Sequence, residues 1–271
     1  MTEAIALHYT FISLAFVFVL FSAEYIVAFY NGSMDKYSLM DWEICSLRTG
    51  WLFTGWRVKI FNILYTSQIF VLIMIVRAMI ALLLAFYFDT SFKLLLVTLL
   101  LFMSFITNIR HVHGRDGADE LVIIELSGLF VYYIAGISSP LRWSGLLFIV
   151  AQVTLSYLVS GVAKLISPTW RSGDAIIKIF ATRIYGKPQF IPFLSHRLIT
   201  LSLAWFTILW ETTFPIIWVA PFSFGLLWII AGVMFHLGTA YVMGLNTFLF
   251  TFLSSYPIIL WMLLDANFIA R

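Results

Sequence analysis

Eight apolar stretches follow one another along this chain of 271 residues, at about 8–30, 61–88, 91–108, 121–138, 143–166, 198–220, 222–242 and 246–264. Each is close to the roughly 20 residues that carry a helix through the hydrocarbon layer. A backbone that crosses lipid must satisfy its own N–H and C=O groups, which restricts it to helices or a closed barrel. The short alternating segments of a barrel are missing. The expected fold class is therefore all-α: a polytopic transmembrane helical bundle of about eight spans plus interfacial helices. Composition agrees, with 62% hydrophobic residues, 11% charged residues and a mean hydropathy of +0.99, far from the balance of a water-soluble domain. Trp42, Trp51 and Trp56 stand among the charges of 31–60 and predict a segment lying at the interface. Residues 167–197 predict a surface helix in the membrane plane. Ser167 caps it, Pro168 takes its first position, and Gly186 with Pro188 stops it. Residues 1–271 read as one transmembrane domain without a separate soluble domain. No cleavable signal peptide is expected, because Glu3 stands where a basic leader region would lie.

Charge and cysteine usage exclude several classes. A net charge of +3 and a pI near 9.0 are ordinary for a membrane protein whose loop cations set its topology, and imply no nucleic acid. The single cysteine, Cys45, rules out an internal disulfide and a Cys-based metal cluster. His111, His113 and Asp116 match no defined ligand spacing, so no metal is expected. There is no Gly-rich phosphate loop and no nucleophile elbow. Eleven of the sixteen Lys and Arg residues fall on one side of the predicted spans. The positive-inside rule puts that side in the cytoplasm and both termini outside a cell membrane; basic loops that instead bind an anionic substrate or lipid headgroups leave the sidedness open.

Six ionisable residues fall within the spans: Glu24, Arg77, Glu125, Lys164, Glu211 and His236. Each is costly in lipid and is expected to face a partner or a cavity. At about 1.5 Å per residue, Glu24, Glu125 and Lys164 lie within roughly 10 Å of the basic side, with His236 in the same half. Arg77 and Glu211 fall nearer the middle, and the set predicts a cavity opening toward the long loops. Structural roles are also open: Arg77 paired with Glu24 or Glu211, Lys164 snorkelling to the surface, His236 bonded to a backbone carbonyl, Glu211 serving backbone groups freed by Pro215.

Around Lys164, helical spacing puts Tyr157, Ser160, Gly161 and Lys164 on one face. Gly161 lets a neighbouring helix or a flat ligand approach the backbone. The segment YLVSGVAKLISPTWRSGDAI resembles the Y-x-x-x-G-x-x-K-L…W-x-x-G segment of the HTTM domain, the membrane domain shared with vitamin K-dependent gamma-carboxylase. NIRHVHGRDGADEL (108–121) resembles that family's Asn…Asp-Gly loop, and Glu211 with Pro215 resembles its E-x-x-x-P span. Phe235-His236, followed by Gly244-Leu245-Asn246 and Phe248, resembles its F-H…F span. The likeness covers about residues 60–260.

The resemblance implies a quinone-dependent modifying enzyme, carboxylase- or epoxidase-like, acting on a peptide. Its cofactor would be a reduced isoprenoid quinone, vitamin K-like. Lys164 would be the general base, a lysine that low dielectric makes easier to deprotonate. His236 would orient a reacting oxygen, and Glu211 would pair with a cation or hold the substrate's polar end. Tyr157, Gly161, Trp170 and Arg77 would contact the cofactor, and Arg110, Asp116 and Arg171 the substrate. Two departures shift the expectation. Ala163 stands where the carboxylase has the first of two adjacent lysines, and its large lumenal domain has no counterpart in these residues. The chain is closer in length to the stand-alone bacterial form, which resembles the membrane protein of sporulation-delaying toxin maturation and works with a small partner protein. The alternatives are a non-catalytic membrane component of secreted-peptide maturation or export, and a lipid or small-molecule transporter.

Overall fold

A computed structural model describes residues 1–36, 38, 40–47, 54–86, 90–110, 117–136, 138–182 and 186–265. Trp51, His111, His113 and Asp116 lie outside the described residues. Among the described residues there is no strand. The helices are α1 (Glu3–Tyr30), α2 (Trp42–Cys45), α3 (Trp56–Leu64), α4 (Ser67–Phe86), α5 (Thr90–Arg110), α6 (Ala118–Ile134), α7 (Arg142–Ile166), α8 (Pro168–Arg171), α9 (Asp174–Ala181), α10 (Ile191–Leu194), α11 (Arg197–Thr213), α12 (Phe222–Met243) and α13 (Asn246–Leu264). Seven helices among the described residues are long and apolar enough to cross a membrane: α1, α4, α5, α7, α11 with its continuation to Trp218, α12 and α13. The protein is a multi-pass helical membrane protein.

The eighth expected span is α6. It has 17 residues, starting at a left-handed Gly117 and ending before Gly136, whose φ is 79°. Glu125 sits on its buried face and Asp119 and Glu120 in its first turn, where the positive end of the helix dipole favours acids. The predicted span 61–88 is also interrupted. Residues 61–64 close α3, and Tyr65 leaves the helical path to bury its ring, donating its hydroxyl to the Ile106 carbonyl at 2.7 Å. The predicted surface helix breaks likewise at Gly173 (φ 82°), where an added Cβ would come within 3.0 Å of the Leu201 nitrogen. Two short helices, α8 and α9, result. Ile176 of α9 then packs with Leu194 and Ala204, flanked by Trp170, Phe180 and Phe190, leaving Asp174 and Lys178 exposed.

The contacts divide the chain into two compact units, residues 8–146 and residues 1–7 with 147–271, the division falling inside α7. In the first, Tyr65, Phe70, Met74, Tyr25 and Trp42 form the core beneath α2 and α3. Two glycines join α6 to the first turn of α7: a Cβ on Gly145 would lie 2.2 Å from the Gly128 carbonyl oxygen. Backbone contact of this closeness is how membrane helices gain dispersion energy in a solvent as apolar as themselves.

Gly145→Ala should therefore cost about 1–3 kcal/mol through overpacking, read as a lower thermal midpoint in detergent. Gly238→Ala, where nothing lies within 4 Å of an added Cβ, should leave the midpoint unchanged or raise it by up to about 1 kcal/mol of helix propensity.

Candidate functional site

Lys164 stands two residues from the end of α7, which Ser167-Pro168 terminates because the residue before a proline avoids helical geometry. From there the side chain could reach the surface. It turns inward instead. Nζ donates to both Glu211 oxygens, at 2.6 and 2.9 Å, and to the hydroxyl of Ser160 one turn back. The Trp170 ring lies over it, 5.2 Å from nitrogen to centroid. Side-chain exposure is 15% for Lys164 and 4% for Glu211. An ammonium group has three donors, and the ion pair with Ser160 uses all three.

Local backbone structure prepares this pair. Pro215 has no N–H, which would leave the Glu211 carbonyl unbonded in a continuing α-helix. The chain tightens there into a 3-10 turn, Phe214–Trp218, and the Phe214 N–H takes the Glu211 carbonyl. The Glu211 carboxylate is thus released from the backbone duty that the sequence left open for it. Gly161 brings the helices together. A Cβ there would fall 2.5 Å from the Thr212 nitrogen, so α7 and α11 meet backbone to backbone one residue from Glu211.

Deeper in the same unit, the Tyr157 hydroxyl lies 2.7 Å from His236 Nε2 and 2.7 Å from the Tyr256 hydroxyl. Gly232 makes room for Tyr256, whose hydroxyl would be 2.3 Å from a Cβ there. His236 is fully buried and stacks on Phe252, 4.4 Å between centroids. Its Nδ1 has no hydrogen-bond partner among the described residues, so the backbone carbonyl considered for it from sequence is not its partner. Tyr256 was missed in sequence; its position just before Pro257, inside a predicted span, is the signal that could have marked it.

Tyr157, Ser160, Gly161, Lys164, Trp170, Glu211 and His236 thus fall in one unit, along the contacts of α7 with α11, α12 and α13. Other expected members do not join this arrangement. Arg77 belongs to residues 8–146, where it donates to Thr107 at 3.0 Å and lies over the rings of Phe18 and Phe21. Its Nε and Nη2 have no hydrogen-bond partner among the described residues, so the expected carboxylate pairing with Glu24 or Glu211 is replaced by a hydroxyl and aromatic faces. Arg110 is not a loop residue open to substrate. It is buried at the end of α5, bonded to the Met40 carbonyl and lying over Phe70. Glu125 is buried in α6 and Glu24 is exposed on α1. Arg171 is exposed on α8.

The residues expected around a quinone ring are engaged elsewhere. The Tyr157 ring is enclosed by Trp210, Phe214 and Phe252, with centroids 4.4–5.1 Å away. The open side of Gly161 is filled by Thr212. A flat ring laid over Gly161 between Tyr157 and Trp170 does not fit. A cavity of about 590 Å³ in this unit lies along residues 147–158 of α7 at the α11–α12 connection. Among the described residues, no group of three or more His, Cys, Asp or Glu could hold a metal ion.

No protein-family model, curated protein or solved structure matches the chain. The fold and site therefore define a class only: a multi-pass helical membrane protein with an intramembrane Lys–Glu pair.

Removing one partner of a buried ion pair strands the other charge, which costs about 3–5 kcal/mol. Lys164→Met, which strands the covered Glu211 carboxylate, should accordingly lower detergent stability by about that amount. The double variant Lys164→Met with Glu211→Leu should recover most of it, as read by a double-mutant cycle of thermal midpoints.

Proposed function

We propose that this is an HTTM-like membrane enzyme in which Lys164 and Glu211 form a general acid–base pair acting on a peptide substrate. One observation carries the reading: the lysine and glutamate named by the resemblance meet at 2.6 Å, the lysine partly accessible beside Trp170 and the carboxylate covered. Moving a proton from the ammonium group to the carboxylate leaves a neutral amine beside a neutral acid. The amine then accepts a proton from a substrate and becomes ammonium again, while Glu211 retains the first proton until it is returned to the product or to water. Ser160 keeps the amine in place throughout. The quinone that the family resemblance implies is given no step here, because the ring site expected for it is filled.

A second reading is favoured by a different observation. All three ammonium donors are satisfied within the unit, which suits a structural pair in a non-catalytic component of secreted-peptide maturation, working with a small partner protein.

The test uses purified protein in nanodiscs with a glutamyl peptide in deuterated water, the label being deuterium carried onto peptide carbons and read by mass spectrometry. Wild type should incorporate label, and the double variant Lys164→Met with Glu211→Leu should lose about 100-fold or more, the lower range for general acid–base catalysis. No incorporation by wild type, or equal incorporation by a folded double variant, overturns the enzymatic reading.

A further inference from the structure

The cavity along α7 belongs to no step proposed above, and its origin can be traced in the sequence. Pro215 and Pro221 bracket a segment in which α11 gives way to a 3-10 turn and α12 begins at Phe222. A 3-10 turn is narrower than an α-helix. Side chains retreat there, and α7 is left with an uncovered stretch. The result is a cavity of about 590 Å³ with a buried floor of Val150, Ile217 and Met262 and an exposed rim that includes Leu147, Leu155 and Phe222. That volume lies within the range of pockets that enclose whole ligands.

The Trp218 and Thr154 side chains of its wall are bonded within the wall itself. Trp218 Nε1 donates to Thr154 Oγ1 at 3.1 Å, and Thr154 Oγ1 donates in turn to the Val150 carbonyl at 2.8 Å. A lining whose polar atoms are satisfied offers water little to bind, and such cavities stay dry and accept apolar guests. Among the described residues, no lysine, arginine or histidine lines it, so none of them offers a cation to a phosphate or carboxylate head. Among the described residues of the lining, Asp265 at the end of α13 is the ionisable one. The rim is carried by α7 and α12, both membrane-crossing by length and composition, so hydrocarbon is what surrounds it.

We infer that this cavity is a binding site for the hydrocarbon chain of a membrane lipid with an uncharged head. The chain lies against Leu155, Leu158 and Trp218, and its head sits at the α11–α12 connection. The site is independent of the Lys164–Glu211 chemistry.

The experiment uses full-length protein in nanodiscs containing a long-chain isoprenoid alcohol with a diazirine in its tail, compared with a diazirine fatty acid at neutral pH. Crosslinked peptides are mapped by mass spectrometry. The alcohol should label the segments carrying Leu155, Leu158 and Met262, with labelling reduced at least fivefold by excess unlabelled alcohol. Ala151→Phe, which fills the cavity, should lower that labelling about fivefold, whereas Val159→Phe, on the exposed lipid side of the same helix, should not. Labelling spread evenly over exposed residues such as Leu226 and Leu227, or unchanged in Ala151→Phe, overturns the site. Should Ala151→Phe fail to fold, the competition on wild type decides alone. Equal saturable labelling by the fatty acid overturns the assignment of an uncharged head.

Discussion

An ammonium group in hydrocarbon must find a counter-charge or reach water, and Lys164 finds Glu211. Much of the unit formed by residues 147–271 follows from that contact. A carboxylate 2.6 Å from the nitrogen fixes α11 against the last turns of α7, and Gly161 permits the approach by presenting no side chain to Thr212. With that register set, Trp210 and Phe214 close on the Tyr157 ring, and Trp218, in the 3-10 turn that follows α11, reaches Thr154. Three indole N–H groups of this unit are bonded internally, Trp210 to the Trp228 carbonyl, Trp218 to Thr154 and Trp228 to Thr213. They act as rigid struts with satisfied polar ends, not as anchors in the headgroup layer.

The two units solve the problem of a buried cation differently, and the chemistry of the side chains explains it. A lysine ammonium is a compact, strongly hydrated charge that needs close oxygen partners once water is gone. The guanidinium is delocalised and weakly hydrated, so aromatic faces can share the task. Arg77 rests on Phe18 and Phe21 and bonds the Thr107 hydroxyl, and Arg110 rests on Phe70 and bonds the Met40 carbonyl. Desolvated cation–π contacts of this kind are worth about 2 kcal/mol each, enough to hold an arginine where a lysine would be stranded.

What could be read from sequence divides along the same physical lines. Lipid imposes length and polarity on any segment that crosses it, so the apolar runs located the helices well. The exceptions are local: Tyr65 counts as apolar in a run yet breaks it, because its ring buries sideways and its hydroxyl seeks Ile106. Gly173 divides the surface segment through a backbone angle that no periodicity reveals. At the site, spacing of three and four residues was enough to put Tyr157, Ser160, Gly161 and Lys164 on one face. Periodicity carries no information about which helices become neighbours. The choice of Glu211 for Lys164, the inward placement of Arg110 and the closure of Gly161 were therefore invisible. Tyr256 and the cavity beside Pro215 were hidden for the same reason, being products of packing between distant segments.

The hydroxyl of Tyr157 has one hydrogen and two neighbours, which gives its short chain a direction. If His236 donates through Nε2, Tyr157 passes its own hydrogen to Tyr256, and the phenol of Tyr256 is left holding a hydrogen with no acceptor among the described residues. If Tyr256 donates instead, Tyr157 gives to the imidazole, and the hydrogen without an acceptor moves to Nδ1 of His236. Either way one buried donor stays unmet, at one extremity or the other. Rotating two phenol hydrogens and exchanging the imidazole tautomer shifts that vacancy from α13 to α12 with no heavy atom displaced. The aromatic interior of this unit thus admits two hydrogen arrangements on a single set of heavy-atom positions.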